Sequence, residues 1–257
     1  ILKKTKKTLF IWPEGIFRES MLQDIKQYKD IFYNNFSENH LIVLGINNAK
    51  PSEDFKEEKI YNSLVILNNN LEVLSIYNKI KLVPFGEFLP FEKIFYNFGL
   101  KKITRGYNSF SAGNERELIN LGKNFNKKSI LPLICYEIIY SGNVKKKNQF
   151  PDLITNISED AWFGRSIGPH QHFSKAIYRS IEDGVFIARS ANKGVSAFIN
   201  PNGKVIKSLN TGESGNIELN FPIFSEKTLF SNYGNKIFYL IIFLYMFLIL
   251  ILRKFKI

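Results

Sequence analysis

Ser129-Ile130-Leu131-Pro132-Leu133-Ile134-Cys135-Tyr136-Glu137 is an apolar run of strand length that turns polar at the only cysteine in the chain. A structural cysteine needs no such neighbours, whereas a thiol at a strand tip entering a polar turn is placed where a nucleophile must sit. Two other apolar runs end in charged groups in the same manner. Leu9-Phe10-Ile11-Trp12-Pro13 delivers Glu14, and Leu74-Ser75-Ile76-Tyr77-Asn78 delivers Lys79. A base, a cation and a thiol, each at a strand end, are expected to converge at one edge of a sheet, a constellation suited to acyl transfer.

Strand-like stretches recur outward from this run at Thr8–Trp12, Leu41–Ile46, Ser63–Leu67, Leu71–Tyr77, Leu153–Asn156, Val185–Arg189, Val195–Ile199 and Val205–Leu209. The spacing predicts helices over Met21–Phe36 and Pro169–Asp183, the second with proline in its first turn. Asn200-Pro201-Asn202-Gly203 reads as a hairpin turn. Strands with intervening helices and no internal repeat indicate a layered α/β or α+β fold.

The 257 residues, 45% hydrophobic and 23% charged, suffice for one folded body with an appendage. A net charge of +12 would suit nucleic acid or an anionic membrane. Lysine, asparagine, isoleucine, phenylalanine and tyrosine are abundant together, however, which indicates a codon bias more than a designed basic patch. No zinc-finger spacing, aromatic-basic RNA motif or glycine-rich phosphate loop accompanies the charge, so nucleic acid is not an expected partner. One cysteine excludes an intrachain disulfide.

From Ile237 to Leu252 every residue is apolar or aromatic, and Arg253, Lys254 and Lys256 close the run. These residues cover about 24 Å as a helix, which Tyr233 and Lys236 can extend by snorkelling toward a hydrocarbon core of ~30 Å. A core helix rarely stays apolar on every face and then ends in a basic cluster, so a membrane span is expected. The basic cluster predicts a cytoplasmic C-terminus and an outer face for the residues before Lys236. The first strand begins near Thr8, which leaves no room for a signal peptide, so either an upstream membrane segment carries the domain across or the charge rule misleads and the domain is cytoplasmic. The division is therefore a catalytic domain over 1–227, then a transmembrane helix and basic tail over 228–257.

The region from Phe85 to Gly113 is rich in aromatics and lysines, among them Phe88, Phe91, Phe95, Tyr96, Phe98, Lys101, Lys102 and Tyr107. It reads equally as a packed lid or as a segment dipping into a membrane interface.

Taken singly, Glu14, Lys79 and Cys135 each have an ordinary explanation as turn carboxylate, solvated lysine and core filler. Together, Trp12-Pro13-Glu14, then Tyr77-Asn78-Lys79-Ile80-Lys81-Leu82-Val83-Pro84-Phe85-Gly86-Glu87-Phe88-Leu89-Pro90, then Ile134-Cys135-Tyr136-Glu137 resemble the ordered motifs of the nitrilase (carbon-nitrogen hydrolase) superfamily. Lys81-Leu82-Val83-Pro84-Phe85-Gly86-Glu87 is similar, more narrowly, to the apolipoprotein N-acyltransferases, membrane enzymes that add the third acyl chain to bacterial lipoproteins. Asp160-Ala161-Trp162-Phe163-Gly164, the stretch Ser166 to His172 and the stretch Arg189 to Ser196 agree, and the resemblance covers about residues 8 to 220. Glu159 departs from it, since asparagine is expected before Asp160. A larger departure is that this sequence lacks the multi-spanning N-terminal membrane part that the family carries.

The resemblance implies a nitrilase-like α-β-β-α sandwich followed by one C-terminal transmembrane helix, in a bacterial inner membrane with the catalytic domain on the periplasmic face. It implies Glu14 as base, Lys79 as oxyanion stabiliser and Cys135 as nucleophile, with an acyl chain passing from a phospholipid through a thioester to the amine of a diacylglyceryl lipoprotein. Glu87, Glu137, Tyr136, Trp162 and His172 are candidates to support the site or bind substrate. No cofactor or metal is called for, since His170 and His172 make a poor zinc pair. Two alternatives remain: a membrane-anchored amidase or nitrilase acting on a small carbon-nitrogen substrate, and a catalytically dead module that binds lipoprotein or phospholipid.

Overall fold

A computed structural model of the chain describes residues 4–51, 58–90, 109–146, 149–220 and 226–254. Strands β1 (Thr8–Ile11), β2 (Phe17–Met21), β3 (His40–Pro51), β4 (Glu58–Leu67) and β5 (Val73–Asn78) form one sheet. Its order is β1-β3-β4-β5, with β2 also paired to β3. Strands β6 (Ile119–Asn120), β7 (Ser129–Ile134), β8 (Leu153–Glu159), β9 (Ile187–Asn192), β10 (Ser196–Ile199) and β11 (Val205–Leu209) form the other, in the order β11-β10-β9-β8-β7-β6. In the first sheet β1 runs parallel to β3 and the β3-β4-β5 pairs are antiparallel; in the second β7, β8 and β9 are mutually parallel.

Alternation along the strands builds four layers. Leu41, Val43, Leu64, Ile66, Ile130, Ile134, Leu153 and Ile157 meet in one core between the sheets. Their neighbours Ile42, Leu44, Val65 and Leu67 point the other way, against Leu22 and Ile25 of a 3-10 helix (Leu22–Tyr28) and Phe32 of α1 (Lys29–Asn35). On the far side Leu131, Leu133, Ile154 and Ile187 pack under Ala176 of α2 (Gly168–Asp183). Strands covered on both faces are apolar at consecutive positions, which is why their sequence reads as runs. The result is the α-β-β-α sandwich.

Two departures concern local structure. The helix expected over Met21–Phe36 is a 3-10 segment followed by α1, and β2 and β6 carry no apolar run that announces them. Beyond the sandwich, α3 (Leu229–Tyr233) leads into α4 (Lys236–Lys254). Helix α4 has a mean hydropathy of 2.3 and buries none of its apolar window among the described residues, so by length and composition it can cross a membrane. Phe91, Phe95, Tyr96, Phe98, Lys101, Lys102 and Tyr107 lie outside the described residues.

Candidate active site

Glu14, Lys79 and Cys135 follow β1, β5 and β7, so the three groups come from both sheets at one end of the sandwich and not from one edge of a single sheet. The chain makes a sharp turn at the thiol. Ile134 is still extended, Cys135 takes a left-handed φ of 48°, and a 3-10 turn (Cys135–Ile139) begins. This conformation is uncommon for a non-glycine residue and lifts the side chain out of the strand.

The surroundings hold that turn from behind. Glu137 is buried; its Oε2 accepts from the Ile134 amide at 2.9 Å, and its Oε1 accepts from the Tyr77 hydroxyl at 2.6 Å and the Ile80 amide at 3.0 Å. Arg116 pairs with the same Oε1 at 2.6 Å. Glu137 therefore ties the cysteine turn to the segment that follows Lys79. Tyr136 packs edge-on against Tyr140, with ring centroids 5.5 Å apart.

In front of the turn lies a charged cluster. Lys79 is 1% exposed, and its Nζ lies 2.9 Å from Glu87 Oε1 and 4.0 Å from Glu14 Oε1. Asn62 spans the two carboxylates, donating at 2.6 Å to Glu14 and 2.8 Å to Glu87. Glu14 Oε2 accepts from the Glu159 amide at 2.9 Å, and Glu87 Oε2 from the Val83 amide at 2.8 Å. Gly45 lies under Glu14, where a Cβ would come within 2.9 Å of the Glu14 Cα.

These contacts set the charges. Burial works against charge on Lys79, but Glu87 and Glu14 outweigh it and hold the ammonium protonated. Burial raises the Glu14 carboxyl above the usual carboxylate range, opposed by Lys79 and reinforced by Glu87. Burial and the Glu14 charge push the Cys135 thiol up to about 12, against the pull of Lys79 and Ser158. The cluster thus rests with a protonated thiol near a carboxyl of raised affinity for protons.

A second cluster flanks the thiol. Asp160 Oδ1 accepts from Ser158 Oγ at 2.6 Å and faces His172 Nδ1 at 2.9 Å, while Oδ2 accepts from Arg189 Nη2 at 2.7 Å. His172 Nε2 reaches the Cys135 carbonyl at 3.1 Å, so this ring braces the Cys135 backbone. Burial opposes charge on Asp160, but His172, Arg189 and Ser158 outweigh it and pull its carboxyl down to about 2. Burial and Arg189 lower His172 against the opposing pull of Asp160. Ligand atoms of Cys135, Asp160 and His172 lie within 4.8 Å of one another, yet the Asp160 and His172 atoms are already engaged and Arg189 supplies the positive charge. That donor set does not fit a metal ion.

Glu159, the position that departs from the expected asparagine, accepts from Asn192 Nδ2 at 2.8 Å and from the Ala161 amide at 3.2 Å, so its carboxylate caps the turn after β8. Trp162 (69% exposed) lies in this turn and Ile167 (67%) follows it in the chain, and Phe85 and Ile16, also exposed, follow the Lys79 and Glu14 segments. Sequence reasoning missed Asn62, Arg116, Asp160, Ser158 and Arg189 as site groups. Their signal was a buried polar side chain in or beside an apolar strand, which shows only once partners are in place. A recess of about 440 Å³ bordered by Lys50, Leu74, Ile76 and Asn114 touches none of Glu14, Lys79 and Cys135.

The family profile described as carbon-nitrogen hydrolase matches residues 32–220. An apolipoprotein N-acyltransferase from Bradyrhizobium diazoefficiens is 34% identical over 228 residues, which is 89% of this chain and 42% of that protein. One from Rickettsia typhi is 36% identical over 230 residues, 88% of this chain and 44% of the relative. One from Rhodopseudomonas palustris is 31% identical over 96% of this chain and 46% of its own length. The chain thus spans less than half the length of these curated relatives. A mutant of the Nesterenkonia AN1 amidase from the nitrilase superfamily shares the fold with a TM-score of 0.50 at 14% identity, over 79% of this chain and 73% of that one.

Proposed function

The chain belongs to the carbon-nitrogen hydrolase family, and from that premise we propose that its site is an apolipoprotein N-acyltransferase centre: Cys135 is the nucleophile, Glu14 the base and Lys79 the oxyanion stabiliser. The observation that carries this reading is the fully buried Lys79 ammonium set between Glu14 and Glu87 beside the thiol.

Glu14 takes the thiol proton as sulfur attacks a phospholipid ester carbonyl. Its raised affinity for protons narrows the gap to the thiol and makes this transfer less uphill. The carbonyl oxygen becomes an oxyanion, and the Lys79 charge stabilises it; loss of such a donor typically costs ~3 kcal/mol of barrier. When the C–O bond breaks, Glu14 returns the proton to the departing lysophospholipid oxygen, leaving an acyl thioester on Cys135. The amine of a diacylglyceryl lipoprotein then attacks the thioester, Glu14 accepts the amine proton, and the thiol is regenerated as the amide forms. Glu87 and Asn62 orient Lys79 and Glu14 for both halves.

Helix α4 supports a membrane setting, with residues 1–227 as the catalytic part on the periplasmic face of the inner membrane and the basic end of α4 in the cytoplasm. Exposed Trp162, Ile167 and Phe85 near the site-bearing turns suit an acyl substrate. The test is to supply phospholipid vesicles with a diacylated lipopeptide and, separately, small amides. Triacylated product without ammonia release supports the reading; ammonia release from small amides with no acyl transfer would establish the hydrolase instead.

A further inference from the structure

We propose that the foot of the terminal helix is latched to the loop that follows the nucleophile, with Lys145 and Asp183 as positioning residues that fix the orientation of the thiol's mouth to the bilayer. This rests on the acyl-transfer reading above.

The latch is a set of polar bonds. Lys145 Nζ donates to the Ser231 carbonyl in α3 at 3.1 Å and pairs with Asp183 Oδ1, at the end of α2, at 3.7 Å. Both side chains are buried, at 8% and 7% exposure. Beside them Glu182 Oε1 accepts from Ser141 Oγ at 2.9 Å and from Arg179 Nη2 at 2.6 Å. Arg179 Nη1 donates to the carbonyl of Ile139, the last residue of the nucleophile's 3-10 turn, at 3.1 Å. From the other side the Thr228 hydroxyl donates to the Glu182 carbonyl and accepts from the Ser231 amide, capping α3. The Glu226 amide donates to the Gly184 carbonyl at 3.0 Å, and Asn235 Nδ2 to the Ser141 carbonyl at 3.3 Å.

Two considerations make this more than local packing. Among the described residues the apolar window of α4 is not buried against the sandwich, so it is these bonds at its foot that hold it to the folded body. A buried lysine-carboxylate pair is a costly way to gain stability, and its best-attested use is to fix one arrangement over others. The loop it fixes begins where the Cys135 turn ends. An ester carbonyl in a bilayer sits at a set depth, and a thiol tethered by a free-swinging helix would meet it in the right geometry only rarely.

The experiment uses the full chain in membranes, with Lys145→Met, Asp183→Asn and Lys145→Arg variants. Thiol acylation is measured from phosphatidylethanolamine vesicles and from a water-soluble p-nitrophenyl ester, and amide hydrogen exchange is followed over 139–145 and 226–235. Lys145→Met and Asp183→Asn should slow acylation from vesicles at least tenfold and change that from the soluble ester less than twofold. Exchange should rise in both segments together, and Lys145→Arg should recover most of the vesicle rate. An unchanged vesicle rate, a parallel fall on both donors, or a rise of exchange in one segment alone would overturn the latch. A parent protein that takes acyl groups from no vesicle would instead refute the acyl-transfer reading, and the exchange data would then judge the latch by itself.

Discussion

Removing the charge of Glu14 should act on the thiol in two opposite ways. Burial and Glu14 raise Cys135 to about 12 while Lys79 and Ser158 lower it. Glu14→Gln should therefore let the resting thiol titrate lower and alkylate faster with iodoacetamide at pH 8, even as acyl transfer falls about a hundredfold for want of a base. Lys79→Met should slow alkylation, because the cation that favours the thiolate is gone. The pH profile of alkylation checks both, and a thiol whose titration is unchanged in Glu14→Gln would show that this carboxylate is too remote to serve Cys135. Behind the turn, Arg116→Met leaves Glu137 buried without its ion pair, which should cost about 3–5 kcal/mol in denaturant unfolding.

The elements that deliver the site were readable to different degrees for physical reasons. Strands β1 and β7 lie beside well-packed layers, so their apolar runs and polar ends stood out in the sequence, whereas β5 reads as an apolar run although Val73, Leu74 and Ile76 are exposed and Tyr77 is its buried residue. Strand β2 did not, because Phe-Arg-Glu-Ser-Met is largely polar and meets β3 in only an irregular register. Met21–Phe36 carries one apolar stripe that serves a 3-10 and an α segment alike, so periodicity did not locate the break at Lys29. Placing Glu14 and Lys79 on a different sheet from Cys135 requires the strand order, which long-range pairing fixes and no run of residues reveals. The close approach of β3 to Glu14 was equally hidden: Gly45→Ala should press on the Glu14 backbone and Ile157, destabilise the fold by about 1–3 kcal/mol and reduce acyl transfer. Thermal unfolding and turnover of that variant test it together.

At the scale of the whole molecule, pH should act through the junction between the sandwich and α4. Burial raises Asp183 to about 6, reinforced by Glu182 and opposed by Lys145 and Arg179. A carboxyl whose folded pKa exceeds its unfolded value favours the folded state most below the unfolded pKa, and that stabilisation is lost as pH rises through about 6. The shift corresponds to roughly 3 kcal/mol, so unfolding free energy should fall between about pH 4 and pH 6 by an amount that Asp183→Asn abolishes.

The covalent intermediate tests the central claim most directly. The protein in membranes is incubated with a phospholipid carrying one defined acyl chain and no amine acceptor, and the peptide containing Cys135 is then weighed by mass spectrometry. The account predicts that this peptide gains the mass of one acyl group, that hydroxylamine removes it, and that Cys135→Ala gains nothing. An unmodified Cys135 peptide, or an acyl group that persists in Cys135→Ala, would contradict it.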